Sequence, residues 1–210
     1  MSNLGLVAVS GIIGVGKTTL AGHLSRILNA PLICEEYGRN PFLPRQLAGD
    51  REAALASEVF FLMSRASQLA RDTIHASPTV VCDYLFNKNR IFARMNLNEY
   101  QMSIYDELER QVEALIARPD LVVYLYDTTE NCLQRIHQRG RDFERSITKP
   151  WLDRLQGAYE DLFRNWSSCP VLRIDCRNYD VRNESDVRNL LGQMIRVSAC
   201  HTSEIDSIWK

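Results

Sequence analysis

A glycine-rich stretch near the start of the chain has the residue types and spacing needed to bind phosphate. It matches the pattern GxxxxGK[ST] and lies between a strand-like run at residues 4–10 and a helical pattern at Lys17–Leu28. Consecutive backbone N–H groups and a helix N-terminus attract anions, and glycines let the backbone approach them closely. The pattern predicts a nucleoside triphosphate site, with Lys17 on the β- and γ-phosphates and Thr18 available to Mg²⁺. Its residues are Gly11, Gly14, Gly16, Lys17, Thr18 and Thr19.

Acidic residues follow two other strand-like runs. Asp83 ends the run at residues 79–83, and Glu35 and Glu36 follow the run at residues 31–34. Because ligands of doubly wound sheets bind at the carboxyl ends of the strands, we expect these acids near the phosphate loop. Asp83 could hold Mg²⁺, and one of the two glutamates could accept a proton from a substrate hydroxyl. The spacing alone does not separate these roles from ordinary loop carboxylates.

Four arginines lie close together around a glycine at the end of a helical pattern. Arg135 and Arg139 are one helical turn apart, Gly140 favours a helix stop, and Arg141 and Arg145 follow. Phosphoryl transfer needs cations over the transferring group, and a mobile arginine-rich segment supplies them while it excludes water. We therefore predict a lid at about residues 135–147, whose arginines are unpaired and repel one another until phosphate arrives. The alternative is a solvated charged helix end.

The elements that must position these residues alternate between strand and helix patterns. Five short apolar runs are typical of strands, including Leu121–Tyr126 and Val171–Asp175. The segment at residues 40–44 contains two prolines and is typical of a loop. This alternation predicts an α/β fold with a mostly parallel sheet and helices on both faces, in one domain over residues 1–210. Helical spacing occurs at residues 17–28, 51–77, 99–117, 129–139, 150–166 and 184–198.

The composition excludes some classes of function. The 210 residues carry 25 Lys and Arg against 26 Asp and Glu, and this balance argues against a dedicated nucleic-acid binder. No apolar run reaches the roughly 18 residues that cross a bilayer, so we expect no membrane partner. The six cysteines form no CxxC pair, which favours reduced thiols in a cytoplasmic protein over disulfides or metal ligands.

Six stretches, in this order, resemble the deoxynucleoside kinase family, in particular its bacterial deoxyadenosine, deoxyguanosine and deoxycytidine kinases. The resemblance runs from about Leu6 to about Asp175. It implies a P-loop kinase fold with a five-stranded parallel sheet, usually in a homodimer. It also implies transfer of the γ-phosphoryl group of ATP or another nucleoside triphosphate, with Mg²⁺, to the 5′-hydroxyl of a nucleoside. The stretches are GIIGVGKTTL, EEYGRNPFL, FFLMSRASQL, VVCDYLFNKNRIFA, RIHQRGRDFERSI and WLDRLQGAYEDLF.

The resemblance also implies roles for single residues. Glu35 matches the carboxylate that accepts the proton of the 5′-hydroxyl. Asp83 matches the acidic half of the family's acid–arginine pair after the third strand, and with Thr18 it is the predicted metal site. Glu144 matches a lid acid that reaches the sugar 3′-hydroxyl. The predicted catalytic residues are Glu35, Arg141 and Lys17, and the predicted lid contacts to the donor nucleotide are Arg135 and Arg139.

The chain departs from the family pattern around the nucleoside. Tyr84 replaces the arginine that follows the strand-three acid, so we expect Lys88 to supply that charge. Counting without gaps places Glu58 where the family has a base-reading glutamine, and Leu47 where it has a tyrosine for the 3′-hydroxyl. Asn89 stands where the family has an aspartate that helps to read the base. The phosphate machinery is thus kept while the nucleoside pocket is altered.

These departures predict a guanine nucleoside. An ionised Glu58 only accepts hydrogen bonds and would favour the N1–H and N2–H₂ donors of guanine, while Asn89 could reach O6 or N7. In the alternative, Glu58 points away from the base and pairs with Arg65 or Lys88. The predicted substrate-binding residues are Glu35, Glu58, Lys88, Asn89 and Glu144.

Two further functions are compatible with the same motifs. A kinase for a nucleoside monophosphate would need a basic site for the extra phosphate, for which Arg39 and Arg45 are candidates. A degenerate homologue would bind nucleotide without catalysis. The intact phosphate loop and lid argue against the second alternative.

Overall fold

Five parallel strands form one sheet in the order β2-β3-β1-β4-β5. The structure is a computed structural model that describes the backbone of residues 3–208 and the side chains of residues 3–199. The predicted α/β fold and its parallel sheet are confirmed. The strands are β1 (Gly5–Ser10), β2 (Leu32–Ile33), β3 (Thr79–Cys82), β4 (Leu121–Tyr126) and β5 (Val171–Asp175).

Helices connect the strands and cover both faces of the sheet. Two 3₁₀ helices, Tyr37–Arg39 and Asp142–Glu144, add single turns after β2 and before α8. Over residues 3–208 the α-helices are α1 (Lys17–Leu28), α2 (Leu43–Leu47), α3 (Arg51–Gln68), α4 (Arg71–His75), α5 (Lys88–Asn96), α6 (Glu99–Glu113), α7 (Thr129–Arg139), α8 (Lys149–Arg164) and α9 (Glu184–Ile208).

Two clusters of buried apolar side chains hold the helices to the sheet. Neighbouring strand residues point to opposite faces, so Leu6 of β1 enters one cluster and Val7 enters the other. The larger cluster packs α1, α7, α8 and α9 against β1 and β4. The smaller cluster packs α3, α4, α5 and α6 against β1 and β3. The strand ends that carry the predicted site residues are therefore anchored from both faces.

The long helix expected at residues 51–77 is divided into α3 and α4, so that prediction is wrong. The break lies at Leu69 and Ala70, where Ala70 is extended and pairs with Ile116, and Leu69 accepts a hydrogen bond from Ala117 N. The guanidinium of Arg71 donates to the Ile116 and Ala114 carbonyls at the end of α6. Pairing with a distant backbone thus overrides a continuous helical pattern.

Residues 40–44 are only partly a loop, because α2 begins at Leu43. Pro44 stands at the start of α2, where the missing N–H leaves no helical hydrogen bond unmade. The short helix α5, which the sequence analysis did not identify, follows β3 and carries Lys88 and Asn89 in its first turn. Both helices contribute to the wall of the candidate site.

The structure describes the side chains of five of the six cysteines. The free cysteines are Cys34, Cys82, Cys132, Cys169 and Cys176, and Cys200 lies outside the residues whose side chains are described. Over the described part of the chain, every helix is too short or too polar to cross a bilayer.

Candidate active site

A cavity of about 490 Å³ opens at the carboxyl ends of β1, β2 and β3. Its walls come from the phosphate loop, the segments after β2 and β3, the helices α2, α3 and α5, and residues 139–147. The volume lies within the usual range for small-molecule sites, roughly 300–1,000 Å³. The topology therefore brings the separately predicted motifs to one place.

Two glycines of the phosphate loop adopt backbone conformations that other residues rarely adopt. Gly11 and Gly14 have φ values of +139° and +83°. A Cβ on Gly11 would lie 2.4 Å from the Leu125 carbonyl oxygen, and one on Gly14 would lie 2.5 Å from the Cys132 carbonyl oxygen. Gly16 is the N-cap of α1, whose first N–H groups remain available to an anion.

Lys17 is the cation of this loop. Its Nζ donates to the Ile12 carbonyl at 2.8 Å, which folds the side chain back over the loop. Removal from water and the nearby charge of Lys88 lower the pKa of Lys17 to about 8, although Glu35 and Asp83 partly oppose the shift. An ammonium held in this way gains strongly from an anionic ligand. Thr19 follows on the exposed side of α1.

Thr18 and Asp83 are in direct contact. The Thr18 hydroxyl donates to Asp83 Oδ2 at 2.7 Å, and Asp83 Oδ1 accepts from Glu35 N at 3.0 Å. These hydrogen bonds tie α1, the end of β3 and the segment after β2 together. Oxygen donors of this kind suit Mg²⁺, which binds one or two carboxylates and completes its shell with water and phosphate. Among the described residues, no group of three or more His, Cys, Asp or Glu side chains could hold a metal by itself.

Glu35 holds two buried cations. Its Oε1 accepts from the guanidinium of Arg65, with a Nε–Oε1 distance of 3.1 Å, and its Oε2 accepts from Lys88 Nζ at 2.7 Å. Burial alone would raise the pKa of Glu35, but Arg65 and Lys88 outweigh it and hold that pKa well below its usual range. Lys88 thus supplies a positive charge where Tyr84 leaves none. Glu36 instead pairs with the exposed Arg39.

Arg65 is the principal residue that the sequence analysis did not place in the site. It is only 3% exposed and lies over the Phe61 ring, with 4.6 Å from its guanidinium carbon to the ring centroid. The sequence feature that could have identified Arg65 is its position on the apolar face of a helix, three residues after Leu62 and four before Leu69. Such a cation needs a buried partner, which the linear spacing does not identify.

Asn89 lies behind Arg65 and is not among the residues that line the cavity. Its carbonyl oxygen accepts from Arg65, and its amide nitrogen is buried without a hydrogen-bond partner. Its side chain therefore supports the site from behind.

Glu58 is buried in the cavity wall and is held by two neutral donors. Gln46 Nε2 and Asn96 Nδ2 each donate to Glu58 Oε1 at 2.7 Å. Burial raises the pKa of Glu58, and these two hydrogen bonds oppose that rise. The alternative in which Glu58 pairs with Arg65 or Lys88 does not occur, since amides are its hydrogen-bond partners. Leu47 lines the same part of the cavity.

The arginine-rich segment lies over the cavity. Arg135 donates to Asp127 Oδ2 at 2.6 Å and to the Gly14 carbonyl at 3.4 Å, which places it beside the phosphate loop. Arg139 and Glu144 form a bidentate ion pair, in which Arg139 Nε donates to Glu144 Oε2 at 2.6 Å and a terminal guanidinium nitrogen donates to Oε1 at 2.5 Å. Arg141 lies 4.6 Å from the centre of the Tyr37 ring.

The expectation that the lid arginines are unpaired without phosphate is wrong. Asp127 pairs with Arg135, Glu144 with Arg139 and, at 3.5 Å, with Arg141, and Asp142 pairs with Arg145. Sequence spacing showed the cations but not the carboxylates that the fold brings to them. A triphosphate would therefore compete with these carboxylates for the guanidinium groups.

Comparison with known proteins decides the family. The family model for deoxynucleoside kinases matches residues 7–199. The chain belongs to the deoxynucleoside kinase family. It is 31% identical over 198 residues to deoxyguanosine kinase of Bacillus subtilis (strain 168), covering 90% of this chain and 96% of the relative. It is 28% identical over 201 residues to the deoxyadenosine/deoxycytidine kinase of the same organism, covering 91% and 92%.

A solved structure supports the fold of this kinase. Deoxyadenosine kinase from M. mycoides, with the products dCMP and a flexible dCDP bound, superposes with a TM-score of 0.78 at 21% identity. The match covers 90% of this chain and 98% of that chain. The protein is thus an enzyme that phosphorylates deoxynucleosides with a nucleoside triphosphate as donor. This overturns the alternative of a degenerate homologue without catalysis.

Arg39 and Arg45 do not form a second phosphate site in the kinase. Arg39 pairs with Glu36 and Arg45 pairs with Asp50, and both arginines are largely exposed. Neither lines the cavity. The geometry therefore gives no support to a monophosphate as the acceptor.

Proposed function

We propose that this kinase transfers the γ-phosphoryl group of ATP to the 5′-hydroxyl of deoxyguanosine. The observation that carries the base preference is the buried carboxylate of Glu58 in the cavity wall. An ionised carboxylate only accepts hydrogen bonds, and guanine offers N1–H and N2–H₂ side by side. Adenine and thymine present mixed edges that would leave a buried acceptor facing an acceptor, and such mismatches are strongly rejected. The 31% identical relative from Bacillus subtilis is a deoxyguanosine kinase, which supports the same base.

The donor phosphates fit the loop between β1 and α1. In this proposal Gly11, Gly14, Gly16 and Thr19 lie along the phosphates, and Lys17 neutralises the β- and γ-groups. Thr18 and Asp83 would hold Mg²⁺, which when bound neutralises charge on the phosphate oxygens. Arg135 stands beside Gly14 and Arg139 lines the cavity, so both can contact the donor nucleotide.

The acceptor hydroxyl is placed against Glu35. Because Arg65 and Lys88 keep Glu35 ionised, its carboxylate can orient the 5′-hydroxyl and accept its proton as the phosphoryl group transfers. Arg141 lines the cavity from the lid and can neutralise the charge that develops on the transferring group. Glu144, also in the lid, faces the same cavity and is assigned to the sugar.

Purified enzyme tests the base preference directly. We expect deoxyguanosine to have the highest kcat/KM of the four deoxynucleosides with labelled ATP, and Glu58→Gln to lower that value and change the ranking. A neutral amide both donates and accepts, so the variant should gain on adenine or cytosine nucleosides. If another deoxynucleoside is preferred by the wild type, or if Glu58→Gln leaves the ranking unchanged, Glu58 does not read the base.

We further propose that the kinase works as a homodimer in the cytoplasm. Tyr100, Ile104 and Leu108 recur every four residues on α6 and are exposed, as are Leu115 after this helix and Met63 on the adjacent α3. Such an apolar surface on a helix pair is typical of a subunit interface. The free thiols of the described cysteines support the cytoplasmic location.

A further inference from the structure

We propose that Gln46 reads the base together with Glu58, and that Asn96 positions Glu58 for this contact. The inference rests on the proposed deoxyguanosine specificity, since it concerns the same base. It adds two residues, from α2 and α5, that the sequence motifs did not identify.

The three side chains form one hydrogen-bonded group in the cavity wall. Gln46 Nε2 and Asn96 Nδ2 donate to the same atom, Glu58 Oε1, at 2.7 Å each. All three residues line the cavity. Glu58 Oε2 takes no part in these two hydrogen bonds, and Gln46 Oε1 is buried without a partner. A buried acceptor without a partner is unfavourable unless a ligand satisfies it.

The hydrogen bond between Gln46 and Glu58 fixes which atoms remain for a ligand. Because Nε2 of Gln46 is committed to the carboxylate, its Oε1 must be the free atom of that amide. Glu58 Oε2 and Gln46 Oε1 are thus two adjacent acceptors. They match two adjacent donors on a base and oppose any edge that places an acceptor beside either oxygen.

The neighbours of Glu58 decide which atoms remain for the base. Arg65 donates to Glu35 and Asn89, whereas Gln46 and Asn96 donate to Glu58 Oε1. The acceptors that remain are therefore Glu58 Oε2 and Gln46 Oε1. The guanine edge offers two neighbouring donors, N1–H and N2–H₂, that match them. We assign N1–H to Glu58 Oε2 and the exocyclic amine to Gln46 Oε1.

The charge state of Glu58 depends on the same two amides. The titratable groups that face it are Arg65 on α3, Lys88 on α5 and Tyr105 on α6. Burial raises the pKa of Glu58, and the donors Gln46 and Asn96 stabilise its ionised form. Loss of Asn96 should therefore let Glu58 take up a proton at a higher pH, although both acceptor atoms for the base remain.

A comparison of deoxyguanosine with deoxyinosine isolates the contact made by Gln46, because the two nucleosides differ only in the exocyclic amine. We expect the wild type to prefer deoxyguanosine by about tenfold in kcat/KM, the value of one good hydrogen bond. In Gln46→Met the ratio should fall to near one, mainly through a higher KM for deoxyguanosine, while deoxyinosine changes little. Gln134→Met, at an exposed position on α7, is the matched control and should keep the ratio.

The variant Asn96→Leu tests whether Asn96 positions Glu58 without itself contacting the base. It should keep the preference for deoxyguanosine over deoxyinosine at high pH, and move the acidic limb of the kcat/KM profile to higher pH. An unchanged ratio in Gln46→Met, or an equal loss with both nucleosides, would overturn the contact by Gln46. An unmoved pH profile in Asn96→Leu would overturn the role of Asn96. If the wild type phosphorylates neither nucleoside, the proposed function fails and this inference fails with it.

Discussion

Glu35 uses its two oxygens to hold Arg65 and Lys88, and the same oxygens face the cavity in which the acceptor hydroxyl is proposed to bind. Removing the charge would therefore have two effects. It would remove the proton acceptor, and it would leave two buried cations without their partner, which is destabilising. A single residue thus links catalysis to the integrity of the pocket.

We predict that Glu35→Gln lowers kcat by about 10²–10⁴-fold, the usual contribution of a positioned acid or base. Glu36→Gln is the matched control, since the Glu36 carboxylate pairs with the exposed Arg39. This variant should leave kcat near the wild-type value. Steady-state kinetics and thermal unfolding should be measured together. If Glu36→Gln is the damaging change, the proton acceptor has been assigned to the wrong residue.

The lowered pKa of Lys17 predicts that binding of the donor nucleotide depends on pH. Only its protonated form attracts phosphate, and its pKa of about 8 in the free enzyme means that the charge is lost as the pH rises through this value. We expect the Kd of an ATP analogue to rise by about tenfold between pH 7 and pH 9. The titration can be followed by calorimetry.

In Lys17→Met the group that titrates is absent, so binding should be weaker at pH 7 and nearly independent of pH. The variant should also lose turnover while it keeps its fold, because Lys17 contributes little to the apolar core. A wild-type Kd that stays constant over this range would show that Lys17 does not govern donor affinity.

At the scale of elements, the lid arginines can exchange their carboxylate partners for phosphate oxygens. Gly140 ends α7 in a left-handed conformation with φ 63°, and the 3₁₀ helix Asp142–Glu144 follows at once. Phe143 packs on Tyr37 with ring centroids 5.1 Å apart, so the lid rests on the 3₁₀ helix after β2. The carboxylates that now hold the lid arginines can be replaced by phosphate oxygens, which bind arginine with similar geometry.

We predict that Arg141→Ala lowers kcat more than it raises the KM for ATP, since the contact is made mainly in the transition state. Arg154→Ala, on the exposed side of α8, is the control and should change neither value. A larger change in KM than in kcat would place Arg141 on the bound donor and not on the transferring group.

Hydrogen exchange tests the lid as an element. Residues 141–147 should become more protected when a triphosphate analogue binds, because phosphate oxygens order the arginines. The protection of β4, which is buried in the sheet, should not change. Equal exchange in the lid with and without the analogue would show that the segment does not move with the donor.

For the whole molecule, the exposed apolar face of α6 predicts self-association. A charged residue on this face cannot be buried without a partner, so Leu108→Glu should convert a dimer to a monomer in sedimentation velocity. Arg164→Glu changes charge on the exposed surface of α8 and should leave the dimer intact. A wild type that sediments as a monomer at micromolar concentration would contradict the homodimer.

The sequence by itself determined the parts of this protein that depend on local chain chemistry. The phosphate loop from Gly11 to Thr18, the strands at Leu121–Tyr126 and Val171–Asp175 and the helix at Thr129–Arg139 all follow from residue types at short spacing. The alternation of strands and helices also predicted a parallel sheet, and the order of the motifs predicted the family resemblance. Local patterns suffice here because backbone conformation and amphipathic faces are set within a few residues.

Only the tertiary structure decided which side chains pair with one another in the nucleoside pocket. Glu35 meets Arg65 and Lys88 across 30 and 53 residues of chain, and Glu58 meets Gln46 and Asn96 across 12 and 38. Nothing in linear spacing selects these partners, because burial removes water and each polar group must then bind whichever group the packed elements bring to it. The same cause divides the helical pattern at Leu69, where a distant backbone offers better hydrogen bonds than the next helical turn.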